Sequence, residues 1–309
     1  MSGFSITVSN VLLYLLYLFP GWLLCRAKLA KPEHMSSASA ILLYICGPCM
    51  FLNALTDLDA SPALTARMGL FLLISLGAEL LMMLLILLIL GKKRSMFRYR
   101  MLSIASVMGN VAFFGLPIVK ALFPEAPEAP VYSCIFCVSL NIVGWTMGAF
   151  TLTGDRKYIS LKAAFLNPTV ISVLAGFVLY LTGAKYWLPS LFLNGFKTVG
   201  GISTPLSLLI LGIRLATMTP KELFVHRTIW LIMGLKLLVF PLFCWGITLL
   251  FPLDPVFRSA MLILGATPCA GIILNLAEMH GNGQEMAANC ALLSTLLSIL
   301  TIPLLSLLI

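Results

Sequence analysis

The chain has 309 residues, of which 60% are hydrophobic and 10% charged, and its formal net charge is +9. A soluble domain has roughly 45–50% apolar and about 25% charged residues, so this chain has too few charges to cover a water-facing surface. The composition excludes an ordinary soluble protein and predicts an all-α integral membrane protein whose apolar side chains face lipid.

Ten apolar stretches are long enough to cross the hydrocarbon core of a bilayer, which takes about 20 residues of helix. We number them as spans 1 to 10, and in chain order they cover 5–24, 36–55, 67–90, 102–123, 131–153, 168–184, 196–216, 228–251, 259–279 and 287–307. The connections between them are short, so the sequence predicts ten transmembrane helices and no separate soluble domain.

Most of the 20 lysines and arginines lie in the connections after spans 1, 3, 5 and 7. The excess of positive charge in cytoplasmic loops places these connections inside the cell, so we expect a multi-pass cell-membrane protein with both termini outside. The cations then set orientation, and we expect no nucleic-acid partner. His34, His226 and His280 fall singly on the same side, which does not indicate a metal site.

Prolines, glycines and charged residues recur in the second half of the chain in the same order as in the first. Spans 2 and 7 each contain a proline, spans 3 and 8 carry Glu79 and Lys236 at matching positions, and spans 4 and 9 each contain a glycine-flanked proline. Five helices per half is an odd number, so the second half must enter the membrane upside down. The pattern predicts two inverted five-helix repeats, 1–153 and 154–309, an architecture found in many secondary transporters.

The glycine-flanked prolines predict interruptions of spans 4 and 9, at Gly115-Leu116-Pro117 and at Thr267-Pro268-Cys269. Proline removes a backbone donor and clashes with the preceding turn, although a plain kink is an alternative for either span alone. Each break would create a helix N-terminus with unpaired N–H groups and partial positive charge. Pro117 and Pro268 suit the first turn of the second half-helix, and Thr267 stands where an N-cap belongs. Two such ends that cross would bind an anion.

Three asparagines and one threonine are candidates for substrate binding: Asn110, Asn141, Asn275 and Thr267. Asn110 lies on about the same helix face as Pro117, and Asn141 lies in span 5, which should neighbour span 4. The alternative is that these amides only join helices to one another, as polar side chains in membranes often do.

Glu79 and Lys236 lie near the middle of spans 3 and 8. A charge at such depth is a functional candidate. If the two side chains pair, each keeps the other ionised and they support the fold. If they are apart, Glu79 is a candidate proton carrier.

The sequence does not indicate an enzyme, a metal site or a cofactor. It contains no Ser–His–Asp set, HExxH motif or glycine-rich phosphate loop. Cys46 and Cys49, like Cys134 and Cys137, have the spacing of redox or metal pairs, but both pairs lie inside apolar spans, where packing is the simpler role.

The chain resembles the auxin efflux carrier family over nearly its whole length. The resemblance rests on the order and spacing of seven short motifs, which are Gly109-Asn110 with Gly115-Leu116-Pro117, Leu166-Asn167-Pro168, Pro205-Leu206, Leu211-Gly212, Thr267-Pro268, Ser294-Thr295 and Ile302-Pro303. It implies a ten-helix inverted repeat in which spans 4 and 9 cross at their prolines, a fold shared with bile-acid symporters and sodium–proton antiporters. Family members carry auxin in plants and dicarboxylates such as malonate or malate in bacteria. By resemblance, Asn110, Pro117, Asn141 and Pro268 line or shape the anion site.

Plant members have a long cytoplasmic loop in mid-chain, whereas here spans 5 and 6 are close together, so the chain resembles a compact prokaryotic member. We therefore expect a secondary transporter that moves a small organic anion across the cell membrane by alternating access. The sequence leaves open whether H+ or Na+ is coupled and whether the protein is a homodimer. Two alternatives are a sodium-coupled symporter of the bile-acid type and a membrane ligand sensor that does not transport.

Overall fold

A computed structural model describes residues 3–31, 33–217 and 227–309. Within these ranges the chain is helical, and the only extended pairing is an isolated antiparallel bridge between Gly109 and Cys269. The all-helical prediction is confirmed. Lys221 and His226, which the charge pattern assigns to the cytoplasmic side, lie outside the described residues.

The helices follow the predicted spans closely. In chain order they are α1 (Gly3–Arg26), α2 (His34–Thr56), α3 (Pro62–Leu90), α4 (Phe97–Ala105), α5 (Val111–Leu122), α6 (Ala129–Thr153), α7 (Pro168–Leu181), α8 (Ser190–Thr217), α9 (Arg227–Thr248), α10 (Pro255–Gly265), α11 (Ile272–His280) and α12 (Gln284–Leu305). Short helices at Leu161–Phe165 and Ala184–Trp187 flank α7.

Eight helical stretches in the described ranges are long and apolar enough to cross a membrane. They correspond to α1, α2, α3, α6, α7 with the turns before it, α8, α9 and α12. Predicted spans 4 and 9 are each divided into two shorter helices, α4 with α5 and α10 with α11. The multi-pass membrane class is therefore shown, while ten spans in an inverted repeat stay a prediction.

Three helices contain a wide π turn that ends two residues before a proline. The turns Leu42–Cys46, Val111–Gly115 and Leu235–Val239 precede Pro48, Pro117 and Pro241. Proline has no N–H and crowds the turn before it, which favours a wider turn at these three places. Helix α6 also has a π turn, at Gly144–Gly148, that no proline follows. A proline inside these apolar helices therefore bends or widens the backbone but does not by itself break it.

The helices form two groups, and the first consists of α1, α2, α7 and α8, which pack along one another in pairs. Helix α1 lies along the second half of α8, and α7 lies along the second half of α2. The α1–α8 contact is close because Gly21 faces the carbonyl of Leu209 and Gly212 faces that of Leu18, where any Cβ would overlap backbone. Small residues allow such approach between membrane helices.

A second group of helices is joined by aromatic rings. The rings of Phe71 on α3, Tyr132 on α6 and Phe257 on α10 lie with centroids 4.6–5.3 Å apart, and all three are fully buried. Close to the start of α10, the guanidinium of Arg67 lies 3.4 Å from Oδ2 of Asp254. The other carboxylate oxygen of Asp254 caps α10 by accepting from the N–H of Phe257 at 2.8 Å. These contacts fix the start of α10 and thus the direction in which it enters the interior.

Candidate functional site: the crossing of two interrupted helices

The two interruptions meet and pair through their backbones. Residues 106–110 connect α4 to α5, and residues 266–271 connect α10 to α11. The N–H of Asn110 donates to the carbonyl of Pro268 at 2.7 Å, and the N–H of Ala270 donates to the carbonyl of Met108 at 3.0 Å. Lipid offers no hydrogen bonds, so non-helical backbone in the membrane interior must find protein partners. Each interruption supplies those partners to the other.

The first interruption is not at the predicted position. Gly115-Leu116-Pro117 is helical, and the chain leaves the helix earlier, at residues 106–110. The missing N–H of Pro117 frees the carbonyl of Phe113, but the hydroxyl of Thr204 on α8 donates to that oxygen at 2.8 Å. The hydroxyl of Tyr14 on α1 likewise donates to the carbonyl of Phe114 at 3.1 Å. Hydroxyls from distant helices therefore supply hydrogen bonds to the carbonyls near Pro117, and the helix continues through this proline. The prediction of a break there was wrong.

The second interruption is at the predicted position, but its residues have other roles. Pro268 lies inside the interruption and accepts from Asn110, whereas α11 begins only at Ile272, after Gly271. Thr267 is fully buried, and its hydroxyl donates back to the carbonyl of Leu264 at 2.7 Å. Thr267 therefore closes the end of α10, and the predictions that it caps α11 and that Pro268 lies in the first turn were wrong. Thr267 and Pro268 lie too far before Ile272, the first residue of α11, to form its N-cap or its first turn.

Both second half-helices begin at the crossing with unpaired donors. In the described part of the chain, no acceptor pairs with the main-chain N–H groups of Val111, Ala112 and Phe113, or with those of Gly271 and Ile272. Such groups give a helix start its partial positive charge. The arrangement can bind an anionic group, as helix N-termini do in many proteins.

The predicted asparagines differ in their surroundings. The side chain of Asn110 is half-buried at the start of α5 and makes no hydrogen bond with any described residue. Asn141 is buried, and its amide donates to the carbonyl of Cys137 in its own helix at 2.8 Å. Asn275 is exposed, on the second turn of α11. Of the three, Asn110 alone combines an unused amide with a place at the crossing.

Asn141 nevertheless lies near the crossing. Gly144 follows it by one turn of α6, on the same face. A Cβ on Gly144 would lie 2.7 Å from the side chain of Ile272 and 3.6 Å from the sulfur of Met108. Helix α6 therefore passes both the start of α11 and the first interruption.

Two serines hydrogen-bond to the backbone of the crossing. Neither was predicted from the sequence to lie in the site. The hydroxyl of Ser133 on α6 donates to the carbonyl of Val111 at 2.5 Å, and the hydroxyl of Ser294 on α12 accepts from the N–H of Cys269 at 2.8 Å. The only available signal was the Ser294-Thr295 motif in the family resemblance. Hydroxyls at membrane depth are common, so their sequence position alone does not indicate what they contact.

The two deep charges do not form an ion pair. Glu79 and Lys236 are both fully buried, but their charged atoms are more than 4.0 Å apart. Glu79 accepts from the hydroxyl of Ser139 at 2.5 Å, and no described residue donates to its other oxygen. The ammonium of Lys236 donates to the carbonyl of Gly265 at 2.8 Å and lies 4.7 Å from the ring centroid of Phe240.

Gly109, Thr267 and Lys236 converge at one point of the crossing. A Cβ on Gly109 would overlap the hydroxyl of Thr267 and lie 2.8 Å from the Nζ of Lys236. A side chain at this position would displace the Thr267 hydroxyl or the Lys236 ammonium, so glycine allows both groups to approach the first interruption.

A family model described as "Membrane transport protein" matches residues 5–306. The chain is 24% identical over 298 residues to a Rhizobium meliloti protein named "Putative malonate transporter", covering 92% of this chain and 90% of that one. It is 22% identical over 308 residues to an uncharacterized transporter of Methanocaldococcus jannaschii, covering 97% of both chains. A third relative, an uncharacterized transporter of Methanothermobacter thermautotrophicus, is 23% identical over 205 residues, which is 66% of each chain. The resemblance to auxin efflux carriers is confirmed by the family match over nearly the whole length, and the chain belongs to the membrane transport protein family.

Proposed function

We propose that this protein is a secondary transporter that moves a small carboxylate, such as malonate, across the cell membrane by alternating access. The observation that carries the proposal is the pair of helix starts, at Val111 and Ile272, which reach the same crossing with unpaired N–H groups. Family membership supports transport, and the name of the Rhizobium meliloti relative favours a dicarboxylate.

The proposed architecture is ten spans in two inverted five-helix repeats, 1–153 and 154–309. Interrupted helices occupy the fourth and ninth positions, which correspond in the two halves. In the proposed repeat, α1 corresponds to α7 and α2 corresponds to α8. The close packing of α1 with α8 then corresponds to that of α7 with α2, which is also close. With lysine and arginine loops inside, both termini face outward.

Alternating access would move two helix groups relative to one another. The first group contains α1, α2, α7 and α8, and the second contains the crossing with α3, α6, α9, α10 and α12. The hydroxyls of Tyr14 and Thr204 join the groups by donating to carbonyls of α5. Each is a single hydrogen bond, so it can break and re-form as the groups move.

The carboxylate would bind at the starts of α5 and α11. Free N–H groups and the positive helix ends favour a negative group, while the amide of Asn110 can donate to one carboxylate oxygen. Asn141 and Asn275 are further candidates, at the side and at the exposed edge of the crossing. Glu79 is the candidate for a coupled proton, because it is a buried carboxyl without a paired cation.

The test is uptake of radiolabelled malonate, malate and acetate into liposomes that contain the purified protein. Saturable uptake of at least one, inhibited by the unlabelled compound and absent from empty liposomes, is the expected result. Thermal stabilisation by a carboxylate without any flux would instead favour the sensor. Folded protein that neither binds nor moves any of the three would contradict the proposal.

A further inference from the structure

The ammonium of Lys236 lies at the end of a half-helix. Lys236 belongs to the π turn of α9, and its Nζ donates at 2.8 Å to the carbonyl of Gly265, the last residue of α10. The carbonyl end of a helix carries partial negative charge, which a cation stabilises. The lysine thus neutralises the C-terminal end of α10 where this helix enters the crossing.

The same ammonium also reaches the other interruption. A Cβ on Gly109 would lie 2.8 Å from the Nζ and 3.4 Å from the Cε of Lys236. Gly109 lies in the first interruption, between the end of α4 at Ala105 and the start of α5 at Val111, so one cation contacts both interruptions. The side chain fills this space up to the backbone of Gly109.

In many secondary transporters, unwound carbonyls and the C-terminal ends of half-helices coordinate the coupling sodium ion. Here the carbonyl at the C-terminal end of α10, that of Gly265, already accepts from a cation that belongs to the protein. The fully buried Glu79 accepts from the hydroxyl of Ser139 and does not pair with Lys236. The lysine is therefore free to bind the helix end instead of a carboxylate.

We propose that the Lys236 ammonium is the resident cation of the crossing and replaces a coupling metal ion, so that transport does not require sodium. The consequence for uptake rests on the proposed transport function, whereas the role of the charge at the helix end does not. If Lys236 is removed, the helix end should accept a small free cation in its place.

The first experiment measures malonate uptake by the unaltered protein in liposomes, with sodium replaced by choline on both sides. The expected result is the same rate and KM in both salts. Coupling between two ligands typically changes affinity by roughly 5–150-fold, so a sodium-coupled carrier would lose uptake clearly. A loss of that size would overturn the proposal.

The second experiment measures thermal unfolding of the purified variants Lys236→Ala and Lys236→Met, with Lys120→Met as the control because Lys120 is exposed on α5. Both Lys236 variants should unfold at a lower temperature than the control. Ethylammonium chloride should stabilise Lys236→Ala but not the unaltered protein, whereas choline chloride, whose cation is too large, should have no effect. Lys236 variants as stable as the control would overturn the assignment.

The uptake and unfolding experiments distinguish failure of the proposed transport function from failure of the role proposed for Lys236. Failure of the unaltered protein to carry any carboxylate would contradict the transport function, while the unfolding data would still decide whether a cation is needed at the end of α10. Sodium-dependent uptake by the unaltered protein would contradict the inference and leave the transport function intact.

Discussion

The main-chain N–H of Asn110 donates to the carbonyl of Pro268 at 2.7 Å, so the two interruptions are held together by backbone. Because this bond does not involve side chains, substitution of the Asn110 side chain leaves it in place. The crossing can therefore be examined separately as a structural element and as a binding site.

Asn110→Ala should weaken carboxylate binding and leave the fold intact. A hydrogen bond to a charged group contributes about 1.5–3 kcal/mol, so we expect KM for uptake to rise roughly 10- to 100-fold. Thermal unfolding should change little, since the side chain bonds to no described residue. Asn10→Ala is the control, because the Asn10 amide donates to the carbonyl of Ile6 within α1, away from the crossing. Unchanged uptake by Asn110→Ala would remove this side chain from the site.

Gly109→Ala should destabilise the protein strongly. The added Cβ meets the hydroxyl of Thr267 and the Nζ of Lys236, and overpacking of this kind costs about 1–3 kcal/mol. Both neighbours are fully buried and hydrogen-bonded, so neither can move away freely. In the control Gly77→Ala the added Cβ has no neighbour within 4 Å, and thermal stability should be unchanged or higher. Equal stability of the two variants would contradict the packing described at the crossing.

The all-helical class and the two interrupted segments were predictable, because they depend on the apolar length of each span and on glycine and proline. The position of the first interruption was not predictable. It depends on whether the carbonyl freed by Pro117 finds a donor, and that donor, Thr204, comes from a helix far along the chain. Hydropathy and proline patterns describe a span by itself, whereas these contacts join one span to another.

The residues of the candidate site could be selected from the sequence only in part. Asn110 has an amide and a place in the motif, and both could be read from the sequence. The separation of Glu79 from Lys236 could not, because the place of each residue along its own helix does not determine whether the two helices bring them into contact. The bond from Lys236 to Gly265 passes beside Gly109, where the absence of a side chain leaves room for the ammonium.

Thr204→Val should destabilise the protein, and Pro117→Ala should reduce that effect. Loss of the Thr204 hydroxyl leaves the carbonyl of Phe113 without a donor, and hydrogen bonds between membrane helices contribute about 0.6 kcal/mol on average and up to about 1.7 kcal/mol. In Pro117→Ala the new N–H can bond to the same carbonyl, so Thr204 becomes less important. Pro117→Ala alone should keep the interruption and continue to transport, because the chain leaves the helix at residues 106–110.

A double-mutant cycle in unfolding free energy measures this coupling. Additive effects of the two substitutions would show that Thr204 does not compensate for Pro117. Loss of all uptake in a stable Pro117→Ala protein would show that the widened turn itself is needed for transport.

Glu79→Gln should abolish the pH dependence of uptake if Glu79 carries the coupled proton. The amide has nearly the same volume as the carboxyl and can still accept from the hydroxyl of Ser139, so the variant separates the charge from the packing. Uptake into liposomes with an inward proton gradient, compared with uptake without one, is the measurement. The unaltered protein should accumulate malonate only with the gradient, whereas Glu79→Gln should equilibrate it at the same rate under both conditions.

Glu125→Gln is the control for this prediction, since Glu125 is exposed in the connection between α5 and α6. It should respond to the gradient as the unaltered protein does. If Glu79→Gln also responds fully, the proton binds elsewhere and Glu79 balances the charge of Lys236 from a distance. In that case Glu79→Gln should still unfold at a lower temperature than Glu125→Gln, because the ammonium at the end of α10 would have lost the only fully buried carboxylate among the described residues.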